Sequence, residues 1–279
     1  MNIPEVSVET LLERYRVILL DAYGVLVHSG GAMPGAVEFI RRLNASGKSY
    51  FVLTNDASKL PFTAAARYQR YGLTLEPARI ITSGTLLENY FAAHDLIGAR
   101  CAVLGPPDSL RYVEEAGGAT VPVDSTFEVL VIADESGFPF LETVDAAFTS
   151  LCQSLDRGQD VHLVLPNPDL IYPTGAHAFG FAAGTIATMF EGALRVRYPQ
   201  RDDLRFARLG KPHEALFAET LRRSGTRNMV MIGDQLETDI RGARAFGLDA
   251  AWITTGVTDA TLTDMPPALR PTYVLRSLR

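Results

Sequence analysis

Short apolar runs alternate with amphipathic stretches along most of the chain, the pattern of a parallel sheet covered by helices. Residues 17–20 form a continuous run rich in branched side chains that ends at Asp21 and Gly24. That is expected of a buried parallel strand whose tip reaches a site. Val37, Ile40 and Leu43 then recur at helical spacing, and Gly47 supplies a stop. Residues 50–53 read as a second strand ending in the polar Thr54, Asn55 and Asp56, residues 60–73 as a helix, and 78–84 as a third, shorter strand. The alternation restarts within 85–205, with strands expected near 99–105, 128–134 and 160–169 and a helix near 144–155. It resumes after 205 as strand, helix, strand and helix. The pattern predicts an α/β core made of 1–84 and 206–279, split in sequence by an inserted α/β domain at 85–205. The proline-marked tail, 264–279, is expected to run along the surface and finish in a short strand or helix.

Composition narrows the function classes. Across 279 residues, 26 basic against 32 acidic side chains give a net charge of −6 and a pI near 5.4. No basic surplus exists to displace counterions from a phosphate backbone, which argues against a nucleic-acid partner. A hydrophobic share of 47% with 21% charged residues is ordinary for a globular protein. No run of about 18 apolar residues occurs, so no membrane partner is expected. Glu5, Glu9 and Glu13 interrupt the amino-terminal stretch, unlike the basic start and apolar run of a secretory signal, and the expected location is cytoplasmic. Cys101 and Cys152 are too far apart for a CxxC site and read as two small core hydrophobes in a reducing compartment.

In an open parallel sheet, ligands bind beyond the carboxyl ends of the strands, so polar residues that terminate apolar runs are the candidates. Four such ends stand out: Asp21 with Tyr23 and Gly24; Thr54 with Asn55 and Asp56; Gly210, Lys211 and Pro212; and the stretch 233–239, which carries Asp234 and Asp239. An aspartate at a strand tip suits a nucleophile or a metal ligand. Thr and Asn offer hydroxyl and amide donors, Lys211 a fixed positive charge, and a pair of aspartates oxygen ligands for a hard cation.

In this order, the four segments resemble the haloacid dehalogenase superfamily, and the likeness covers nearly the whole chain. About 33 residues separate Asp21 from Thr54, too few for a domain, and about 157 separate Thr54 from Lys211, enough for a large one. That placement resembles subclass IIA, the NagD-like phosphatases, and the stretch LPNPDLIYPTGAHAFGFAAGTIATMFE looks like their cap signature. The resemblance implies a Rossmann-like core with an inserted α/β cap of the C2 type. It makes Asp21 the nucleophile that takes the phosphoryl group as an aspartyl phosphate. It makes Thr54, helped by Asn55, the donor to the transferred oxygens, with Lys211 neutralising charge on Asp21 and the phosphoryl group. It implies Mg²⁺ held by Asp21, the backbone carbonyl of Tyr23 and Asp234, with Asp239 either a further ligand or a support behind these. The implied partner is a small phosphorylated substrate (a sugar, nucleotide or aryl phosphate), and related caps often mediate homo-oligomeric pairing.

Position 23 departs from that pattern. Phosphatases of the superfamily carry a second aspartate there as general acid and base, and this chain carries Tyr23. A phenol with an ordinary pKa of about 10 is a poor base at neutral pH, and lost acid–base help typically costs about 10²- to 10⁴-fold in rate. Asp56 and His28 are the candidate substitutes. Two alternatives stand beside the phosphatase. One is a metal-independent haloacid dehalogenase-like hydrolase using Asp21, whose first motif DAYGVL also resembles; the other is a phospholigand-binding protein with little turnover. Elsewhere, Asn167 and Asp169 are expected to shape the turn around Pro168, the five histidines to be scattered without metal-ligand spacing, and Trp252 to be core.

Overall fold

The structure is a computed structural model that describes residues 3–175, 178–254 and 265–279. His177, Thr255 and Gly256 therefore lie outside the described residues. The chain divides into two compact units: Met1–Thr54, Pro61–Ile81 and Lys211–Arg279 form the first, Asn55–Leu60 and Thr82–Gly210 the second.

The first unit is organised by a seven-stranded sheet. Its order is Glu5–Val6, Tyr273–Leu275, Asp249–Ile253, Met229–Gly233, Val17–Asp21, Ser49–Thr54 and Ile80–Thr82. Pairings from Glu5–Val6 through Ser49–Thr54 are all parallel. Every residue of Val17–Asp21 and Met229–Gly233 is buried, which is why these strands read as unbroken apolar runs. The helix Ala36–Ser46 covers the sheet with Ala36, Phe39, Ile40 and Leu43, and it stops at Gly47, whose φ of 65° needs no Cβ to be accommodated. Val37, expected on the buried face, is 40% exposed; the apolar stripe is rotated by one position toward Ala36 and Phe39.

The carboxyl-terminal tail does contain the expected short strand, but that strand is not on the surface. Tyr273–Leu275 is a buried strand inside the sheet, paired on one side with Asp249–Ile253 and on the other with Glu5–Val6. Its edge neighbour, only two residues long, has no sequence signature of its own.

The second unit holds a five-stranded parallel sheet ordered Ala207–Arg208, His162–Leu165, Val129–Ile132, Arg100–Leu104 and Ala119–Val121. Helices Phe140–Asp156 and Ala183–Arg197 bury Val144, Ala147, Leu151, Ile186, Ala187 and Phe190 in its core. An antiparallel ribbon unseen in the sequence, Ile171–Gly175 with Ala178–Phe181, carries exposed Phe179 and Phe181. Cys101 is buried as expected, whereas Cys152 is only half-buried. No described helix is long and apolar enough to cross a membrane.

Candidate active site

Three neighbouring strands of the first unit place their carboxyl ends side by side. Asp21 is the last residue of its strand, Thr54 the last of the strand on one flank, and Asp234 follows the last residue of the strand on the other. The registers agree, since Asp21 lies opposite Leu53 and Leu20 opposite Ile232. Asp21, Thr54, Lys211, Asp234 and Asp239 are all buried.

Lys211 is the centre of the cluster. Its ammonium donates to Asp21 Oδ1 at 2.5 Å, to Asp239 Oδ1 at 2.6 Å and to the Leu53 carbonyl at 3.2 Å. The family resemblance sets Lys211 against Asp21 and the phosphoryl group; the structure adds Asp239 as an equal partner. Burial works against the ammonium, yet the carboxylates of Asp21 and Asp239 outweigh it and hold Lys211 above the ordinary lysine range. For Asp21 the balance falls the other way. Burial, reinforced by Asp239, raises its carboxyl well above the usual carboxylate range, and Lys211 offsets only part of this.

Local backbone explains how three carboxylates converge. Gly24 has a φ of +92°, and a Cβ there would lie 2.2 Å from Asp234 Oδ2, so the turn after Asp21 closes against Asp234 only with glycine. The amide of Gly24 donates to the Val27 carbonyl at 2.8 Å, completing a tight turn that leaves Tyr23 half-buried against the apolar core. After Asp234 the chain makes a single wide, π-helical turn, Leu236–Ile240, in which the amides of Asp239 and Ile240 both reach the Gln235 carbonyl. Asp239 Oδ2 accepts from the Gln235 amide at 3.2 Å, which fixes its other oxygen on Lys211. Trp252 is buried in the core as the sequence predicts, and its indole N–H also donates to the Asp234 carbonyl at 3.0 Å, a role its place opposite Gly233 in the next strand makes intelligible.

Asp21, Asp234 and Asp239 each offer a carboxylate oxygen, and these atoms lie within 4.8 Å of one another. Three carboxyl groups face one ammonium in a buried site, so ionising all of them leaves an excess of negative charge. All-oxygen donors with that excess charge suit a hard divalent cation. Among the described residues no other group of acidic, histidine or cysteine side chains gathers in this way. His94 and His162, expected to be scattered, come together beside Tyr90 with ring centroids 5.6 Å apart.

The remaining candidates belong to other local structures. His28 is exposed, and its Nδ1 accepts from the Gly30 amide at 3.0 Å. Asp56 caps its own turn by accepting from the Ser58 amide and hydroxyl at 2.7 and 2.6 Å, and it pairs with Lys59. Asn55 belongs to the second unit, where its amide donates to Asp169 Oδ1 at 2.8 Å. Asn167 and Asp169 do shape the Pro168 turn, through a bond from the Asp169 amide to Asn167 Oδ1 at 3.1 Å. Glu135, also in the second unit and not singled out from sequence, is pushed up to about 7 by burial and by the nearby Asp134 and Asp56.

Comparison with known proteins places the chain beside hydrolases of one superfamily. A family model described as haloacid dehalogenase-like hydrolase matches residues 18–119, and one of HAD-like hydrolases matches 208–279. A solved structure from Cytophaga hutchinsonii, described as a possible sugar phosphatase of the HAD superfamily, is 30% identical with a TM-score of 0.82 and covers 99% of both chains. The dihydroxyacetone phosphatase of Corynebacterium glutamicum is 26% identical over 93% of this chain and 88% of its own. NagD from E. coli K-12, 21% identical with a TM-score of 0.77 over 95% and 97% of the two chains, shares the fold.

Proposed function

The chain belongs to the haloacid dehalogenase superfamily, and from that premise we propose that it hydrolyses a small phosphorylated sugar metabolite with Asp21 as nucleophile. Kinship with phosphatases makes it a phosphoric monoester hydrolase, so the binding-protein alternative is not retained. The observation that carries the mechanism is the buried contact of Lys211 with Asp21 and Asp239, beside Asp234.

A carboxylate oxygen of Asp21 attacks phosphorus, a new P–O bond forms, and the bond to the leaving oxygen breaks. The product is an aspartyl phosphate, which water then hydrolyses. Lys211 holds Asp21 in place and offsets charge on it, while the Thr54 hydroxyl, with Asn55 beside it in the chain, hydrogen-bonds the transferred oxygens. Asp21, Asp234 and Asp239, with the Tyr23 backbone carbonyl, would hold a magnesium ion, whose charge would offset that of the phosphoryl oxygens. Positioning and charge compensation are most of what phosphoryl transfer requires. Tyr23 leaves the departing oxygen without a carboxylic acid to protonate it, which favours leaving groups that are already good anions. The dehalogenase alternative is disfavoured by the same three carboxylates, since they would repel a haloacid carboxylate.

The test is phosphate release from a panel of sugar, nucleotide and aryl phosphates, in magnesium and in chelator. Release that depends on magnesium and disappears in Asp21→Asn is expected. Turnover that survives Asp21→Asn, or chloride release from haloacids in chelator, would refute the proposal.

A further inference from the structure

The segment Asn55–Leu60 follows Thr54, the last residue of its strand in the first unit, yet it belongs to the second. Ser83 donates its hydroxyl to the Asn55 carbonyl at 2.6 Å and Ser109 to the Ala57 carbonyl at 2.8 Å. Tyr112 donates to the Lys59 carbonyl at 2.5 Å, and the Leu60 amide donates to Asp108 Oδ2 at 3.0 Å. Asn55 Nδ2 also donates to Asp169 Oδ1, side chain to side chain, at 2.8 Å. Asn55 is 5% exposed, so its amide orientation is set by partners and not by water.

We propose that Asp169 is a positioning residue that, by holding the side chain of Asn55, fixes the backbone joined to Thr54 for phosphoryl binding. Asp169 is suited to this because its turn is determined independently of its carboxyl group. Its amide is held by Asn167 Oδ1 and its carbonyl by the Gly184 amide at 2.9 Å. A Cβ on Gly184 would lie 2.4 Å from the Pro168 carbonyl oxygen, so the helix starting at Ala183 packs directly on the turn. The turn is thus a rigid mount, and the Asp169 side chain is an arm extending from it to Asn55. One peptide bond joins Asn55 to Thr54, so a shift of Asn55 on loss of the Asp169 bond would pass into the residue that donates to the phosphoryl group. The inference rests on the proposed phosphatase reading and assigns the Asn-Pro-Asp segment a part in it.

Removing the carboxyl group leaves the backbone bonds of the turn intact, so Asp169→Ala is expected to fold. Its kcat on an aryl phosphate should fall on the order of tenfold, the effect of one lost hydrogen bond to a buried group, with KM changed less. Asp169→Asn keeps an acceptor oxygen and should recover most of the loss. A cycle with Asn55→Ala supplies the readout that a merely structural role would not move. If Asp169 acts through Asn55, adding Asp169→Ala to Asn55→Ala costs little more, whereas independent effects multiply. A wild-type kcat in Asp169→Ala, no recovery in Asp169→Asn, or multiplying effects overturns the inference and leaves the phosphatase reading standing. A wild-type protein that neither hydrolyses an aryl phosphate nor binds inorganic phosphate by calorimetry overturns both.

Discussion

Replacing Lys211 by methionine keeps the stem of the side chain and removes the ammonium that touches Asp21 at 2.5 Å and Asp239 at 2.6 Å. The lysine side chain is 3% exposed, and those of Asp21 and Asp239 are 7% and 0%, so water cannot take over the lost contacts. Three buried carboxyl groups would then face one another without a cation, and the Asp21 carboxyl, already raised, would lose the lysine that partly offsets its burial. Removing one partner of a buried ion pair costs about 3–5 kcal/mol, because the other charge stays buried and uncompensated. Urea denaturation in chelator at neutral pH should therefore find Lys211→Met less stable by about that amount. The origin of the loss is checked by adding Asp239→Asn to the variant. That restores the original charge balance and should recover about 1–3 kcal/mol, although the change also removes a native carboxylate. Activity should fall by about 10²- to 10³-fold or more, the scale of losing one preorganised electrostatic partner. A double variant less stable than Lys211→Met, or a single variant as stable as the wild type, would refute the reasoning.

Three other outcomes follow from particular residues. Gly24→Ala forces a side chain into a φ of +92° and onto Asp234 Oδ2, so it should lose at least about 2 kcal/mol by denaturant titration and most activity; a change below about 0.5 kcal/mol would contradict the fit. Tyr23→Asp should raise kcat on alkyl phosphates by about 10²-fold or more and on aryl phosphates far less, so an equal effect on both in steady-state assays would remove leaving-group protonation as the cause. Glu135 lies at about 7 against an ordinary 4.5, so the folded protein keeps a proton that the unfolded chain releases, and stability falls as pH rises through that window. The whole displacement corresponds to about 3.4 kcal/mol, which solvent screening at a half-buried side chain reduces to about 1 kcal/mol. Glu135→Gln should accordingly be more stable than the wild type by about 1 kcal/mol at pH 8 and no more stable at pH 4, measured by urea titration.

The central strands were legible because burial on both faces leaves a continuous apolar run, and a polar residue ending such a run marks the tip of the strand. Asp21, Thr54 and Asp234 are singled out in this way, and the structure sets them at the carboxyl ends of three adjacent strands. What escaped was structure held by partners remote in sequence. Glu5–Val6 is too short to carry a pattern, and Tyr273–Leu275, expected as a short element on the surface, is instead buried by pairing with Glu5–Val6 on one side and Asp249–Ile253 on the other. Val37 was misassigned because three apolar residues at helical spacing define a face only to within one position, and Ala36 and Phe39 outcompete it for the core. The partnership of Lys211 with Asp239 depends on the wide turn at Leu236–Ile240, whose amides converge on Gln235 in a spacing that no apolar period reveals.

The same distinction explains why the segment after Thr54 could not be assigned from its own residues. Thr54, Asn55 and Asp56 form one polar cluster in the sequence, and a single phosphate-binding loop is the economical reading. The structure divides that cluster at a peptide bond, because Thr54 still pairs in the sheet while Asn55 and Asp56 are bonded within the second unit. The dividing forces come from Ser83, Ser109, Tyr112 and Asp169, between 28 and 114 residues away in the chain. A hydroxyl or carboxyl group that supports a carbonyl or amide at that separation has no periodicity to betray it. Local pattern therefore identifies which residues can do chemistry, whereas the long-range hydrogen bonds decide which structural unit holds each of them.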